Sequence, residues 1–170
     1  NGPADMPPEL GMKPEKIRSS CGFATPTPVS DGTRIYALFG TGAVVCFDLS
    51  GKRQWAAYFQ EESPPYGRSS SPLLADGTLI VPVTCLHALD PKTGKLRGKG
   101  EDAEAGYGTA AVATSGGGRV LITSTGIVTR VSDGKILAKE IAPRSYASPL
   151  VQGAVVYFIG TESVAVRLAV

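Results

Sequence analysis

The fold class predicted for this chain is all-β, a β-propeller built of four-stranded antiparallel blades, with about three and a half blades present. Three observations lead there. Short apolar strands separated by glycine turns recur about every 40 residues; 21 glycines and 13 prolines punctuate 170 residues, a turn-rich composition; and no stretch carries the periodicity of an amphipathic helix.

The Pro-rich, charged segment 1–19, with Pro7-Pro8-Glu9 running to Arg18, reads as an inter-blade loop or an incomplete preceding blade. Propeller repeats then fill 20–170, in blades at 20–62, 66–102, 105–142 and 144–170. The first contains Thr27-Pro28-Val29, an Asp31-Gly32 turn, Arg34-Ile35-Tyr36, Ala43 to Asp48, and Gly51-Lys52-Arg53-Gln54-Trp55. The second repeats the order with Ser71-Pro72-Leu73-Leu74, Asp76-Gly77, Leu79-Ile80-Val81, Cys85 to Asp90, and Thr93-Gly94-Lys95. The third has Tyr107-Gly108-Thr109-Ala110, a triple-glycine turn at Gly116, Arg119 to Ile122, Ile127 to Val131, and Asp133-Gly134-Lys135; the fourth opens at Tyr146-Ala147-Ser148-Pro149. From Pro28 to Pro72, Ala110 and Pro149 the steps are 44, 38 and 39 residues.

Within each unit, Asp-Gly and similar turns join strands rich in Val, Ile and Leu, as antiparallel hairpins require. Both faces of the inner strands are apolar, which stacked blades would bury. Two hairpins, between Val83 and Leu86 and between Ser124 and Val128, are unusually short, an economy of real turns or a sign of missing residues. Asn1-Gly2-Pro3 reads as a processed, trimmed or incomplete start. The apolar end, Val164 to Val170, is an unpaired-strand hazard. The expectation is therefore a piece of a longer propeller, or a ring completed by another copy or another chain.

A net charge of +2, without basic runs interleaved with aromatics, argues against nucleic acid. No apolar stretch has the roughly 20 residues of a transmembrane helix. The cysteines Cys21, Cys46 and Cys85 are singletons beside one histidine, His87, so no zinc knuckle or CxxC redox motif can be written; buried small hydrophobes are the preferred reading. Asp90-Pro91-Lys92-Thr93-Gly94-Lys95 lacks the first glycine of a phosphate loop and reads as a hairpin turn.

At Tyr146-Ala147-Ser148-Pro149-Leu150-Val151, Leu86-His87-Ala88-Leu89-Asp90-Pro91-Lys92-Thr93-Gly94-Lys95 and Gly51-Lys52-Arg53-Gln54-Trp55, the sequence resembles the bacterial pyrroloquinoline-quinone-like (PQQ-like) β-propeller repeat family. The resemblance spans roughly Ser20 to Val170. It implies a propeller of six to eight blades, periplasmic or secreted, in a family that includes quinoprotein dehydrogenases, an outer-membrane assembly scaffold and secreted proteins of unassigned role. The family's repeat ends in a Trp that docks between blades; here that is Trp55, with Arg97 and Ala138 expected in its place in the next two units.

A quinoprotein dehydrogenase would, by that resemblance, hold PQQ beside a vicinal disulfide and over a Trp, with Ca²⁺ bound by Glu, Asn and a catalytic Asp. This chain has no adjacent cysteines, and Asn1 is its only asparagine. No cofactor, no metal and no catalytic residue is therefore expected, with PQQ and Ca²⁺ as the alternative. A hydrolase built on His87 and Ser70-Ser71 lacks a nucleophile elbow, so His87 is expected as a packed or edge-exposed strand residue. Glu101, Asp102 and Glu104 read as a solvated loop rather than a hard-cation site.

The candidate binding residues sit at the starts of the innermost strands, where a propeller opens its channel: Arg68, Ser69, Tyr107, Arg144 and Tyr146. Two aromatics and two arginines can grip a sugar, an aromatic ring or a carboxylate, although the tyrosines alone would also plug the ring between blades. The leading expectation is a non-catalytic scaffold or binding module for a protein or glycan partner. The alternatives are a fragment of a quinoprotein oxidoreductase with its ligands elsewhere, and a structural subunit of a larger assembly.

Overall fold

The structure, a computed structural model, describes residues 24–61 and 64–168. The opening segment 1–19, Cys21 and the chain's last two residues lie outside the described residues.

Fifteen strands form four antiparallel sheets among these residues. The first is β1 (Val29–Ser30), β2 (Arg34–Leu38), β3 (Ala43–Asp48) and β4 (Arg53–Tyr58), hydrogen-bonded in sequence order. The second is β5 (Leu73–Ala75), β6 (Thr78–Pro82), β7 (Cys85–Leu89) and β8 (Leu96–Glu104); the third is β9 (Ala111–Ser115), β10 (Gly118–Ile122), β11 (Val128–Arg130) and β12 (Ile136–Ala138). The fourth has three strands, β13 (Leu150–Gln152), β14 (Val155–Phe158) and β15 (Val164–Arg167). This is the expected all-β partial propeller.

Strand alternation builds the core as slabs between blades. Leu79 and Val81 of β6 face the first blade and pack with Tyr36, Leu38, Val44 and Cys46. Ile80, one residue out of phase, faces the third blade and packs with Leu121, Ile127 and Val131. On β10 the same alternation sends Leu121 backward and Val120 and Ile122 forward, onto Val156 and Phe158. Period-two geometry with apolar residues on both faces is what a stacked blade needs.

At the inner rim the blades are tied by a relay of hydroxyls. Thr27 N–H donates to Ser71 Oγ at 2.8 Å, Ser71 N–H to Thr109 Oγ1 at 2.9 Å, and Thr109 N–H to Ser148 Oγ at 2.9 Å. Each hydroxyl precedes the motif proline or its equivalent, Ala110, so the Ser/Thr-Pro signature read from the sequence is an inter-blade clasp. Proline holds the residue before it in extended backbone, and Thr109, which precedes Ala110, makes the same bond without one.

The Asp turns carry their own anion. Asp90 Oδ1 accepts the N–H groups of Lys92 and Thr93, and Asp48 Oδ1 those of Ser50 and Lys52. These amides are already engaged by a carboxylate, which agrees with reading Asp90 to Lys95 as a turn. Both short hairpins close as tight turns, with Val83 N–H bonded to the Cys85 carbonyl and Gly126 N–H to that of Thr123.

Trp55 docks between the first two blades. Its indole N–H donates to the Pro91 carbonyl at 3.0 Å, and its ring lies so close to Gly94 that a Cβ there would fall 2.5 Å from it. Register corrects the sequence alignment in the second blade. Cys46 pairs with Trp55, and its counterpart Ala88 pairs with Gly98, not Arg97. Arg97 instead bonds within its own blade, to Asp90 at 2.6 Å and to the Gly77 carbonyl at 3.0 Å. With glycine in the tryptophan's place, a cleft of about 200 Å³ opens between the second and third blades, lined by Ile80, Gly98, Leu121, Val131 and Gly134. Ala138 does occupy the equivalent position in the third blade, opposite Val128.

A second correction concerns Glu101, Asp102 and Glu104, which lie on β8 rather than in a loop. Asp102 pairs with Lys139, just past β12 of the third blade, and Glu104 with Arg144, in the segment that leads into the fourth, so these two carboxylates go to separate partners.

Two changes test this architecture. Thr109→Val keeps the shape but orphans the Ser71 N–H, and is expected to cost about 1–2 kcal/mol in urea unfolding. Gly98→Trp has open space for a side chain; filling the cleft should stabilise by about 1–2 kcal/mol, read as a rise in Tm of roughly 2–8 °C.

Candidate functional site

The innermost strands begin with extended segments that pass across one end of the blades, and aromatic side chains collect there. Tyr107 stands between Tyr66 and Tyr146, with ring centroids 5.9 Å and 5.3 Å apart and ring planes inclined at 53° and 51°. Tyr66 and Tyr146 are 59 % and 73 % exposed, far from the burial that aromatic rings ordinarily reach. Tyr107 and Tyr146 line a cleft of about 440 Å³ walled also by Pro64, Pro65, Val83, Thr84, Thr125 and Arg144.

The structure brings three of the five sequence candidates, Tyr107, Arg144 and Tyr146, onto this cleft. Arg144 is held in a two-pronged pair by Glu104, Nη1 to Oε1 at 2.5 Å and Nη2 to Oε2 at 2.6 Å. That carboxylate raises the guanidinium above its ordinary pKa, and an anionic ligand would have to displace it. Ser69 faces inward, its hydroxyl donating to the Tyr107 carbonyl at 2.9 Å across the blade boundary. Arg68 departs from the expectation of a channel-mouth residue. It is 3 % exposed and donates to the Glu61 carbonyl, so it braces the loop between the first two blades. Tyr66 was hidden from the repeat alignment because it lies six residues before Pro72, whereas Tyr107 and Tyr146 lie three before Ala110 and Pro149.

A second polar cluster lies where that loop meets β7. Cys85 and His87, two residues apart and therefore on one face of the strand, point toward Glu61. His87 is 2 % exposed, the packed strand residue expected. Its Nε2 lies 3.3 Å from Glu61 Oε1 and its Nδ1 3.2 Å from the Cys85 carbonyl, while the Phe59 ring tilts against it at 4.6 Å. Lys99, paired with His87 across β7 and β8, places Nζ 3.2 Å from the same Glu61 oxygen, and Thr84 N–H donates to Oε2 at 3.2 Å. Burial pushes His87 below its usual pKa against the pull of Glu61, and burial raises the Cys85 thiol. Burial acts upward on Glu61 too, but Thr84, Lys99 and His87 together leave it below the ordinary carboxylate value. The sequence reading found no metal motif because Glu61 is 24 residues from Cys85, brought there only by the chain's crossing between blades.

The fold and its rim now permit comparison with known proteins. A family model described as outer membrane protein assembly factor BamB matches residues 15–169. The chain belongs to this family of PQQ-like β-propeller repeats. No curated protein matches it. Among solved structures it is similar to BamB from Moraxella catarrhalis, at 16 % identity and TM-score 0.57, over 79 % of this chain and 39 % of that one. It therefore spans about two-fifths of that protein's length. The computationally designed Ika4 protein matches at 11 % identity and TM-score 0.59, over 84 % of this chain and 89 % of that one. The designed Ika8 protein matches at 12 % identity and TM-score 0.52, over 76 % of this chain and 41 % of that one. At such identities the shared property is the propeller fold.

Because the Arg144–Glu104 pair stands in solvent, Glu104→Gln should change unfolding free energy by less than about 1 kcal/mol. Equilibrium urea denaturation checks this, and makes the variant a clean probe of ligand binding at the rim.

Proposed function

We propose that this chain is a non-catalytic propeller module, periplasmic or secreted, whose inner rim binds a partner protein through Tyr66, Tyr107 and Tyr146. The observation that carries this reading is a run of three tilted tyrosine rings, two of which, Tyr107 and Tyr146, line a cleft. Tyr and Arg are the side chains in which binding energy concentrates at protein interfaces, because each combines a large apolar surface with a polar end at modest entropy cost. Rings inclined by about 50° form a comb rather than a shelf. Such a comb accepts the alternating side chains of an extended segment, with Pro64 and Pro65 as an apolar wall. The family's description as an assembly factor for outer membrane proteins is consistent with a protein ligand. A glycan is the second reading, since a single exposed tyrosine face can stack on a sugar ring.

The quinoprotein alternative has less support. Trp55 is committed to docking on Gly94 and Pro91, and Cys46 and Cys85 lie on different blades. The described residues do not supply the donor set such a site requires.

Peptide and glycan arrays probed with the wild-type chain and with Tyr146→Ala and Tyr107→Ala test the proposal. Binding of extended peptides weakened about tenfold or more by either variant, a loss above 1 kcal/mol, is the expected result. Glycan-only binding would transfer the rim to the second reading. Peptide binding indifferent to both variants would overturn the rim as the site.

A further inference from the structure

We propose that Glu61, Cys85 and His87 form a binding site for one divalent transition-metal ion of the zinc class. The site lies between the first and second blades, and this inference does not rest on the tyrosine rim.

A neutral imidazole has one N–H and one lone pair. Here Nδ1 faces the Cys85 carbonyl and Nε2 faces the Glu61 carboxylate, and both of those partners only accept. Whichever nitrogen carries the proton, the other aims its lone pair at an oxygen. Two arrangements resolve this conflict, a second proton that makes the ring an imidazolium or a metal ion between Nε2 and Glu61; with the metal, Nδ1–H donates to the Cys85 carbonyl while Nε2 ligates. A histidine oriented by donating its other N–H to a backbone carbonyl is the usual support for a metal ligand.

The donor set agrees, and so does the spacing of Nε2 and the Glu61 oxygen. Nε2, a Glu61 oxygen and Cys85 Sγ supply nitrogen, oxygen and sulfur, the mixed set that zinc accepts, and the three donor atoms lie within 4.8 Å of one another. Two bonds of about 2.1 Å to atoms 3.3 Å apart subtend about 105°, close to tetrahedral. A thiolate, a carboxylate and a neutral imidazole carry two negative charges, so a dication leaves the buried site neutral. Glu61 and Lys99 are partly exposed and open a path to solvent.

Lys99 tells the same story from the other side. Its ammonium stands 3.2 Å from Glu61 Oε1, where it supplies positive charge beside the oxygen that would ligate. With a metal bound, Lys99 is repelled toward solvent, so it acts as a built-in competitor.

Cobalt(II) titration of the purified 170-residue chain tests this, since a bound thiolate gives a sulfur-to-cobalt charge-transfer band and tetrahedral coordination gives intense visible bands. One equivalent should bind and be displaced by zinc. The charge-transfer band should persist in Cys21→Ser and disappear in Cys85→Ser. Glu61→Gln, at a partly exposed loop position, should weaken binding about tenfold or more, and Lys99→Met should tighten it at least about fivefold. Circular dichroism of each variant reports folding independently. Absence of the bands in folded wild-type and Lys99→Met chains would overturn the site and leave an imidazolium–carboxylate–ammonium network; a charge-transfer band that survives Cys85→Ser would overturn it equally.

Discussion

The structure depends on the hydroxyl-to-amide relay at the inner rim. A propeller blade has two broad apolar faces and can slide over its neighbour at little cost in buried area, because hydrophobic contact is non-directional. The bonds from Thr27 to Ser71, from Ser71 to Thr109 and from Thr109 to Ser148 remove that freedom. They set the inner edge of each blade relative to the next, and the slabs of Leu, Val and Ile farther out then pack in one register. Gly108 belongs to the same constraint, since a Cβ there would lie 2.6 Å from the backbone of Ala147. The chain passes too close to admit a side chain.

Farther from the axis, the blades are held unequally. Trp55 closes the first boundary by ring packing and an indole hydrogen bond, whereas Gly98 leaves the second boundary with a cleft. The second boundary carries an exposed ion pair there, Asp102 with Lys139, while Glu104 reaches to Arg144 in the segment leading to the fourth blade. Exposed pairs contribute little to stability, so the boundary between the second and third blades is the weaker of these two and the more open to local motion.

Both polar sites arise from the segments that carry the chain from one blade to the next. The tyrosine rim forms where those segments meet the innermost strands, and the Glu61 cluster forms where the first crossing passes over β7. Most strand interiors are committed to the slabs, and the crossings bring the side chains that complete each site, Glu61 meeting Cys85 and His87 of β7. Propellers in general place their ligands at such ends.

Strand periodicity and turn chemistry are local, so the sequence by itself determined the blade repeat, the Asp-Gly and Thr-Gly turns and the burial of Cys46 and Cys85; the docking role of Trp55 followed from the resemblance to the repeat family. The placement of Tyr107 and Tyr146 at one end was legible for the same reason, from their common offset to the repeat. Tertiary structure decided what depends on separated segments. It turned Arg68 inward, paired Arg144 with Glu104 and extended β8 through Glu104. It also carried Glu61 to Cys85 and His87, a meeting that no spacing encodes because its distance is set by how far one blade rotates against another.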